Sequence, residues 1–256
     1  MILLKTSEEV EKLRASNQLV SKTLGELAKL IAPGITTRSL DKLAEKYIRD
    51  HGGIPGFLGY NGFPATLCTS VNDEVVHGIP ADLILKEGDI VSVDCGVKLN
   101  GYFGDSAYTF AIGDPGPAKK ALMQNTKQSL LKGVELARVG SRLGDIGFAI
   151  QDHAEKAGYS VVREMVGHGL GKNLHEEPEV PNYGRRGSGV KLRAGMVICI
   201  EPMINLGERY IQQDKDGWTI RTRDGQPSAH FELAVAVTKG EPDILSSFKY
   251  IEEVLN

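Results

Sequence analysis

Several things are scarce in this sequence, and each scarcity excludes a class of protein. There are three cysteines, Cys68, Cys95 and Cys199, and no Cys-x-x-Cys pair. That disfavours a disulfide framework or a cysteine zinc site and suits a reducing cytoplasm. No apolar run approaches the roughly 18 residues that span a bilayer. The opening residues, Met1 to Lys5, are briefly apolar with no basic segment before them, so no signal peptide is expected. Charge of either sign is not in excess: 30 Lys and Arg stand against 33 Asp and Glu. Such a balance weighs against a broad nucleic-acid-binding face. No Pro-, Gly- or Ser-rich tether divides the chain, and Gly113 to Pro117 reads as a tight connection. What is present is an ordinary globular composition, 41% hydrophobic over 256 residues. It allows a sizeable core, in one domain or two by length.

The chain reads as one plan written twice. Residues 85–94, LKEGDIVSVD, and residues 192–201, LRAGMVICIE, share a turn glycine, an apolar run and a closing carboxylate at an offset of 107. Upstream, Leu40, Leu43, Ala44 and Ile48 carry helical spacing and stop at Gly52. Ile146, Ala149, Ile150 and Ala154 do the same and stop at Gly158. A longer helix precedes each. The first opens on the capping box Thr6-x-x-Glu9 and is expected to run past Ile31 to Pro33-Gly34. The second opens at Pro117 and is expected to run to about Val139-Gly140. Each half, about 6–113 and 114–256, is therefore helix, helix, strand, hairpin. A site is expected where the halves meet.

Four carboxylates fall at the ends or in the middle of apolar strands. Asp94 follows Ile90 to Val93. Beyond it Asn100-Gly101 is a strong two-residue hairpin signal. With those two as the loop, Leu99 pairs with Tyr102 and Asp105 with Gly96, which makes Asp94 and Asp105 diagonal neighbours on one face. Like charges so close repel unless a cation lies between them. Glu201 closes the matching strand of the second half. Glu232 is expected inside a buried strand, Phe231 to Val237, where an unpaired carboxylate costs several kcal/mol. Any one of these could be an ordinary strand acid, but four, two from each half, mark a site.

The histidines sharpen the reading. His168 lies in the glycine-rich segment Gly167 to Gly171, expected to be a loop. His175 follows in Asn173 to Pro178, and His77 lies in Val75 to Pro80. His51, His153 and His230 are read as structural. Carboxylates with imidazole make a hard, oxygen-rich donor set with room for two divalent cations, and manganese, iron, cobalt or zinc would suit it. Calcium does not normally take imidazole.

At these residues the sequence resembles the methionine aminopeptidases, in their short type I form. The segments that carry the likeness are NDEVVHGIP (72–80), VDCGVKLNGYFGDSA (93–107), GHGLGKNLHEEP (167–178), IEPM (200–203), KDGWT (215–219) and SAHFE (228–232). The resemblance implies an α+β, two-layer "pita-bread" fold, its two pseudo-symmetric halves set around a central antiparallel sheet. It implies five metal ligands: Asp94, Asp105, His168, Glu201 and Glu232. Glu201 would also handle the proton of a water shared by two divalent ions, His77 would meet the substrate's reacting end, and His175 would stabilise the tetrahedral intermediate. Phe57, Tyr60, Phe63, Cys68 and Trp218 match the family's methionine pocket; from the residues alone they would be core packing. A monovalent cation near Asn72, Glu74 and Ser228 is implied too. The implied substrates are Met-X peptides with small X and nascent chains met at the ribosome, acted on by a cytoplasmic monomer. Leu174 stands where an aromatic is common in the family, and Leu233 where a histidine is frequent. No zinc-binding or ribosome-docking extension is expected before the catalytic segments, and no type II insertion lies between His175 and Glu201. Two other readings of the same residues are a proline-specific relative of this fold and a non-catalytic peptide binder.

Overall fold

The computed structural model describes residues 1–255. The first helix, α1 (Ser7–Ala28), starts where the sequence says it should. The Glu9 N–H donates to Thr6 Oγ1, and the Thr6 N–H donates to the Glu9 carboxylate. Its buried face, Leu13, Val20, Leu24 and Leu27, lies on the hairpin formed by the long strands 90–99 and 102–111. Contact is close because Gly104 has no side chain: a Cβ there would sit 2.5 Å from the Asn17 backbone. The helix ends at Ala28, earlier than expected. The Leu30 and Ile31 amides both turn back to the Leu27 carbonyl, which tightens and closes the last turn. Helix α2 (Thr37–Asp50) is capped by Thr36 and released at Gly52, whose φ of 76° needs glycine.

In the second half α3 spans Gly116–Val134 and α4 spans Leu143–Lys156. The end of α3 also falls short of Val139. The Val139 amide is drawn away to the Thr238 carbonyl, in a short parallel bridge beside Arg138.

The strands that build the site are β1 (Leu67–Val71), β2 (Glu74–Val76), β3 (Ile90–Leu99), β4 (Tyr102–Ala111), β5 (Gly167–Gly169), β6 (Glu176–Val180), β7 (Val197–Ile200), β8 (Met203–Asn205), β9 (Ile211–Gln213), β10 (Ile220–Thr222), β11 (Ser228–His230) and β12 (Leu233–Ala236). In the first half β3 is central, with β4 on one side and β1 on the other. In the second half the order is β12-β7-β5-β6, with Asp243–Ile244 outside β12. All these pairings are antiparallel. Two three-stranded sheets complete the fold: β11-β8 with Ser160–Val161, and β9-β10-β2, in which β2 comes from the first half. Helices on one side and sheets on the other give the two-layer α+β arrangement. One apolar cluster draws residues from both halves, from Leu24 and Phe110 to Ile146 and Phe231. No helix among the described residues is long and apolar enough to cross a membrane.

Candidate active site

Asp94 and Asp105 reach the site from the β3–β4 hairpin. Its register pairs Leu99 with Tyr102, Gly96 with Asp105 and Asp94 with Ala107. The two loop residues have positive φ, 52° at Asn100 and 84° at Gly101, as a type I′ turn requires. Asp94 and Asp105 therefore share one face as diagonal neighbours. Gly96 is bare because the Phe57 ring lies over it: a Cβ there would be 2.4 Å from the ring edge. Asn17 of α1 fixes the hairpin from behind, its Oδ1 accepting from the Asp105 N–H at 3.1 Å.

His168 stands in a strand, not the expected loop. β5 runs between β6 and β7, and its glycines make that possible. A Cβ on Gly167 would be 2.2 Å from the Cys199 carbonyl oxygen, and one on Gly169 would be 2.4 Å from that of Glu177. The alternation of glycine and histidine thus answers to backbone crowding on both sides. The His168 Nδ1–H donates to the Gly169 carbonyl at 2.9 Å. A carbonyl can only accept, so the proton sits on Nδ1. Burial pushes the ring's pKa down to about 3, which leaves Nε2 with a free lone pair aimed at the carboxylates. Nε2 is 3.6 Å from Glu201 and 3.7 Å from Asp105.

Glu201 follows the last residue of β7, as expected. Glu232 does not lie inside a strand. β12 begins one residue later, at Leu233, which pairs with Ile200. The reason is a change of partner: the Glu232 N–H donates to Ala107 on β4, and the Ser106 hydroxyl donates to the Glu232 carbonyl at 2.7 Å. At this residue the second half is bonded to the first, and its carboxylate faces Asp105.

The four carboxylates are electrostatically expensive. Burial pushes Asp94 up from 3.8 to about 6. Burial, reinforced by the neighbouring acids, raises Asp105, Glu201 and Glu232 well above the usual carboxylate range. Asp94 Oδ1, Asp105 Oδ1 and Glu232 Oε1 are buried without a hydrogen-bond partner. Orphaned acceptors around a free imidazole lone pair fit divalent cations, and one ligand atom from each of Asp105, His168, Glu232 and Cys199 lies within 4.8 Å of the others.

The same cavity, about 230 Å³, extends along an apolar wall of Phe57, Phe63, Cys68, Leu174 and Trp218. Phe63 and Trp218 meet edge to face at 5.1 Å. Tyr60 stands at the mouth, its hydroxyl 2.8 Å from His175 Nδ1. The His175 ring is 4.3 Å from that of His168. His77 also lines the cavity, in a left-handed backbone conformation with φ of 61°. Burial lowers its pKa to about 4, so it is neutral. Every residue proposed for the divalent-metal, catalytic and methionine-binding roles thus borders one cavity.

Asn72, Glu74 and Ser228 lie elsewhere and are already engaged. Asn72 Oδ1 accepts from Lys119 at 2.7 Å, Glu74 accepts from Arg221 and the Val71 amide, and the Ser228 hydroxyl donates to Ile204. Those side chains are thus committed to protein partners.

Three contributors were not singled out in the sequence. His230 is buried with Nε2 3.4 Å from Glu201 Oε2. Cys199 lies beneath Glu232. Asn61 completes the cavity mouth. A signal existed for the first two, since each is two residues before a site glutamate and so tends to share its face.

Comparison with known proteins agrees with this geometry. The model of metallopeptidase family M24 matches residues 11–239. A methionine aminopeptidase of Clostridium acetobutylicum is 51% identical over 96% of this chain and 99% of its own length. Methionine aminopeptidase 1 of Bacillus subtilis is 49% identical, again over 96% and 99%. The crystal structure of methionine aminopeptidase from Rickettsia prowazekii, 44% identical, superposes with a TM-score of 0.95 over 96% of this chain and all of that one. A prolidase from Pyrococcus furiosus, at 21% identity, TM-score 0.72 and 65% of its own chain, shares the fold alone. The chain belongs to metallopeptidase family M24, among its methionine aminopeptidases.

Proposed function

We propose that this protein hydrolyses the first peptide bond of Met-X peptides and nascent chains in which X is small. The observation that carries this is the convergence of Asp94, Asp105, His168, Glu201 and Glu232 on one end of a cavity whose other end is apolar. Those five residues would hold two divalent ions, with manganese, iron, cobalt or zinc all suited to the donor set. Such ions, when bound, acidify water and polarise a carbonyl. Glu201, whose carboxyl titrates above the usual range, takes the proton of the attacking water and passes it to the leaving amine. His175 at the cavity mouth donates to the oxygen of the tetrahedral intermediate. His77, neutral and half-buried, borders the reacting end. Phe57, Phe63, Cys68, Leu174 and Trp218 enclose the methionine side chain, with Tyr60 at the rim. Crowding there by Tyr60, Asn61, His77 and His175 restricts X to small residues. Two halves, 6–113 and 114–256, form one catalytic unit on this reading. It acts as a monomer on chains leaving the ribosome in the cytoplasm, where its three free thiols stay reduced.

The test is release of methionine from Met-Ala-Ser by protein loaded in turn with each of the four metals. Cleavage of Xaa-Pro substrates in place of Met-Ala-Ser, or no cleavage with any metal, overturns the proposal.

A further inference from the structure

The segment before α1 packs against elements that lead to the site. The Lys5 N–H donates to the Gly195 carbonyl at 2.6 Å, and the Lys5 Nζ reaches the Glu176 carboxylate at 2.5 Å. Both side chains are about 95% buried, with exposures of 6% and 5%. Neither contact belongs to a helix or a sheet. Each links the first half of the chain to a part of the second half that ends in a site residue. Gly195 is in the turn that feeds β7 and so Glu201. Glu176 opens β6 directly after His175.

The loop between β5 and β6 is wound around that one carboxylate. Glu176 Oε1 accepts from the Asn173 N–H at 3.2 Å while Oε2 takes Lys5. Gly171 must be bare, since a Cβ there would lie within 2.6 Å of the carboxylate atoms. The start of the loop is held by two backbone bonds, from the Phe103 N–H to the Gly171 carbonyl and from the Leu170 N–H to the Val197 carbonyl. Among the described residues the His175 side chain has one hydrogen-bond partner, the Tyr60 hydroxyl. Its position over His168 therefore depends on the loop, and the loop's shape depends on a buried anion that needs a cation. No other ion pair to Glu176 exists among the described residues.

We propose that Lys5 is a positioning residue for peptide hydrolysis: its buried pair with Glu176 holds the loop Leu170 to His175 so that His175 meets the substrate carbonyl. This rests on the role given to His175 above. Lys5 touches neither substrate nor metal ligands, and the apolar wall formed by Phe57, Phe63 and Trp218 is carried by other elements. Losing Lys5 should lower kcat more than it raises KM.

The experiment is a double-mutant cycle on Met-Ala-Ser hydrolysis with fully metal-loaded protein, using Lys5→Met, Lys5→Arg, His175→Ala and Lys5→Met/His175→Ala. Metal content and melting temperature are measured for each. A displacement of about 1 Å can cost about a hundredfold in rate, so Lys5→Met is expected to lower kcat by roughly tenfold to a hundredfold, with KM moving less than about threefold. Lys5→Arg restores most of the rate. In the His175→Ala background Lys5→Met has no further effect on kcat, because the two act through one group. Additive losses, or full activity of Lys5→Met while His175→Ala is slow, overturn the proposal. Full activity of His175→Ala overturns instead the role given to His175. Glu176→Gln enters the same cycle from the other partner, and it decides the outcome if Lys5→Met fails to fold.

Discussion

Replacing Asp94 by asparagine should stabilise the metal-free protein at neutral pH, although it removes a metal ligand. Asp94 titrates near 3.8 when unfolded and about 6 when folded, because burial in the cavity penalises its anion. A carboxyl with a raised folded pKa holds its proton more tightly in the native state. Its contribution to stability is complete below about pH 4 and is lost as pH climbs through 6. A difference of about two units corresponds to about 3 kcal/mol. Asparagine resembles the protonated acid and feels none of this loss.

Wild type and Asp94→Asn should therefore melt together near pH 4, and the variant should melt higher above pH 7. For a chain of this size 1 kcal/mol moves the melting temperature by about 2–4 °C, so the gap at pH 7.5 is roughly 6–12 °C. A divalent ion narrows the gap. At a hundredfold excess over its Kd it adds about 2.7 kcal/mol to the wild type, and less to a variant that has lost a ligand. The assay is thermal unfolding by circular dichroism after chelation, from pH 4 to pH 8, with and without manganese. Superimposed metal-free melts at pH 7.5, or a less stable variant, would refute the electrostatic reasoning and imply that Asp94 is not desolvated.

Other perturbations follow from close contacts. Gly167→Ala would place a methyl 2.2 Å from the Cys199 carbonyl oxygen; backbone cannot yield there, and denaturant unfolding should show a loss of about 3 kcal/mol or more. Gly96→Ala would press on the edge of the Phe57 ring at 2.4 Å; it should raise KM for Met-Ala-Ser by roughly tenfold, about 1.4 kcal/mol of binding, and an unchanged KM would remove Phe57 from the pocket. Asn17→Ala orphans the Asp105 N–H; it should cost about 1–3 kcal/mol in stability and weaken metal binding by roughly tenfold or more, read by metal titration calorimetry.

What could be read from the sequence divides along the range of the interactions involved. The start of α1 depends on Thr6 and Glu9, three residues apart, and the β3–β4 register depends on Asn100-Gly101 between two alternating runs. Both signals are local, and both features stand in the structure as expected. The ends of α1 and α3 fall short of the pattern because they depend on where the next amides go: those of Leu30 and Ile31 fold back on Leu27, and that of Val139 goes to Thr238. The environments of His168 and Glu232 are non-local in a stronger sense. Glycines around a histidine suggest a loop until β6 and β7 are known to crowd both sides. A carboxylate in an apolar run suggests a strand interior until its amide is known to bond Ala107 in the other half. His230 carries only the spacing to Glu232 as a mark, and a histidine that faces Glu201 and one that fills a core look alike in a chain. The donor set was legible because an anion in an apolar run is costly wherever it sits. The bonds that bring two of those anions to the other two connect residues more than a hundred positions apart. Neither half holds more than part of the set, so neither could retain these buried charges without the other. The cross-half contacts at Ser106, Ala107 and Glu232 are therefore as necessary to the chemistry as the carboxylates themselves.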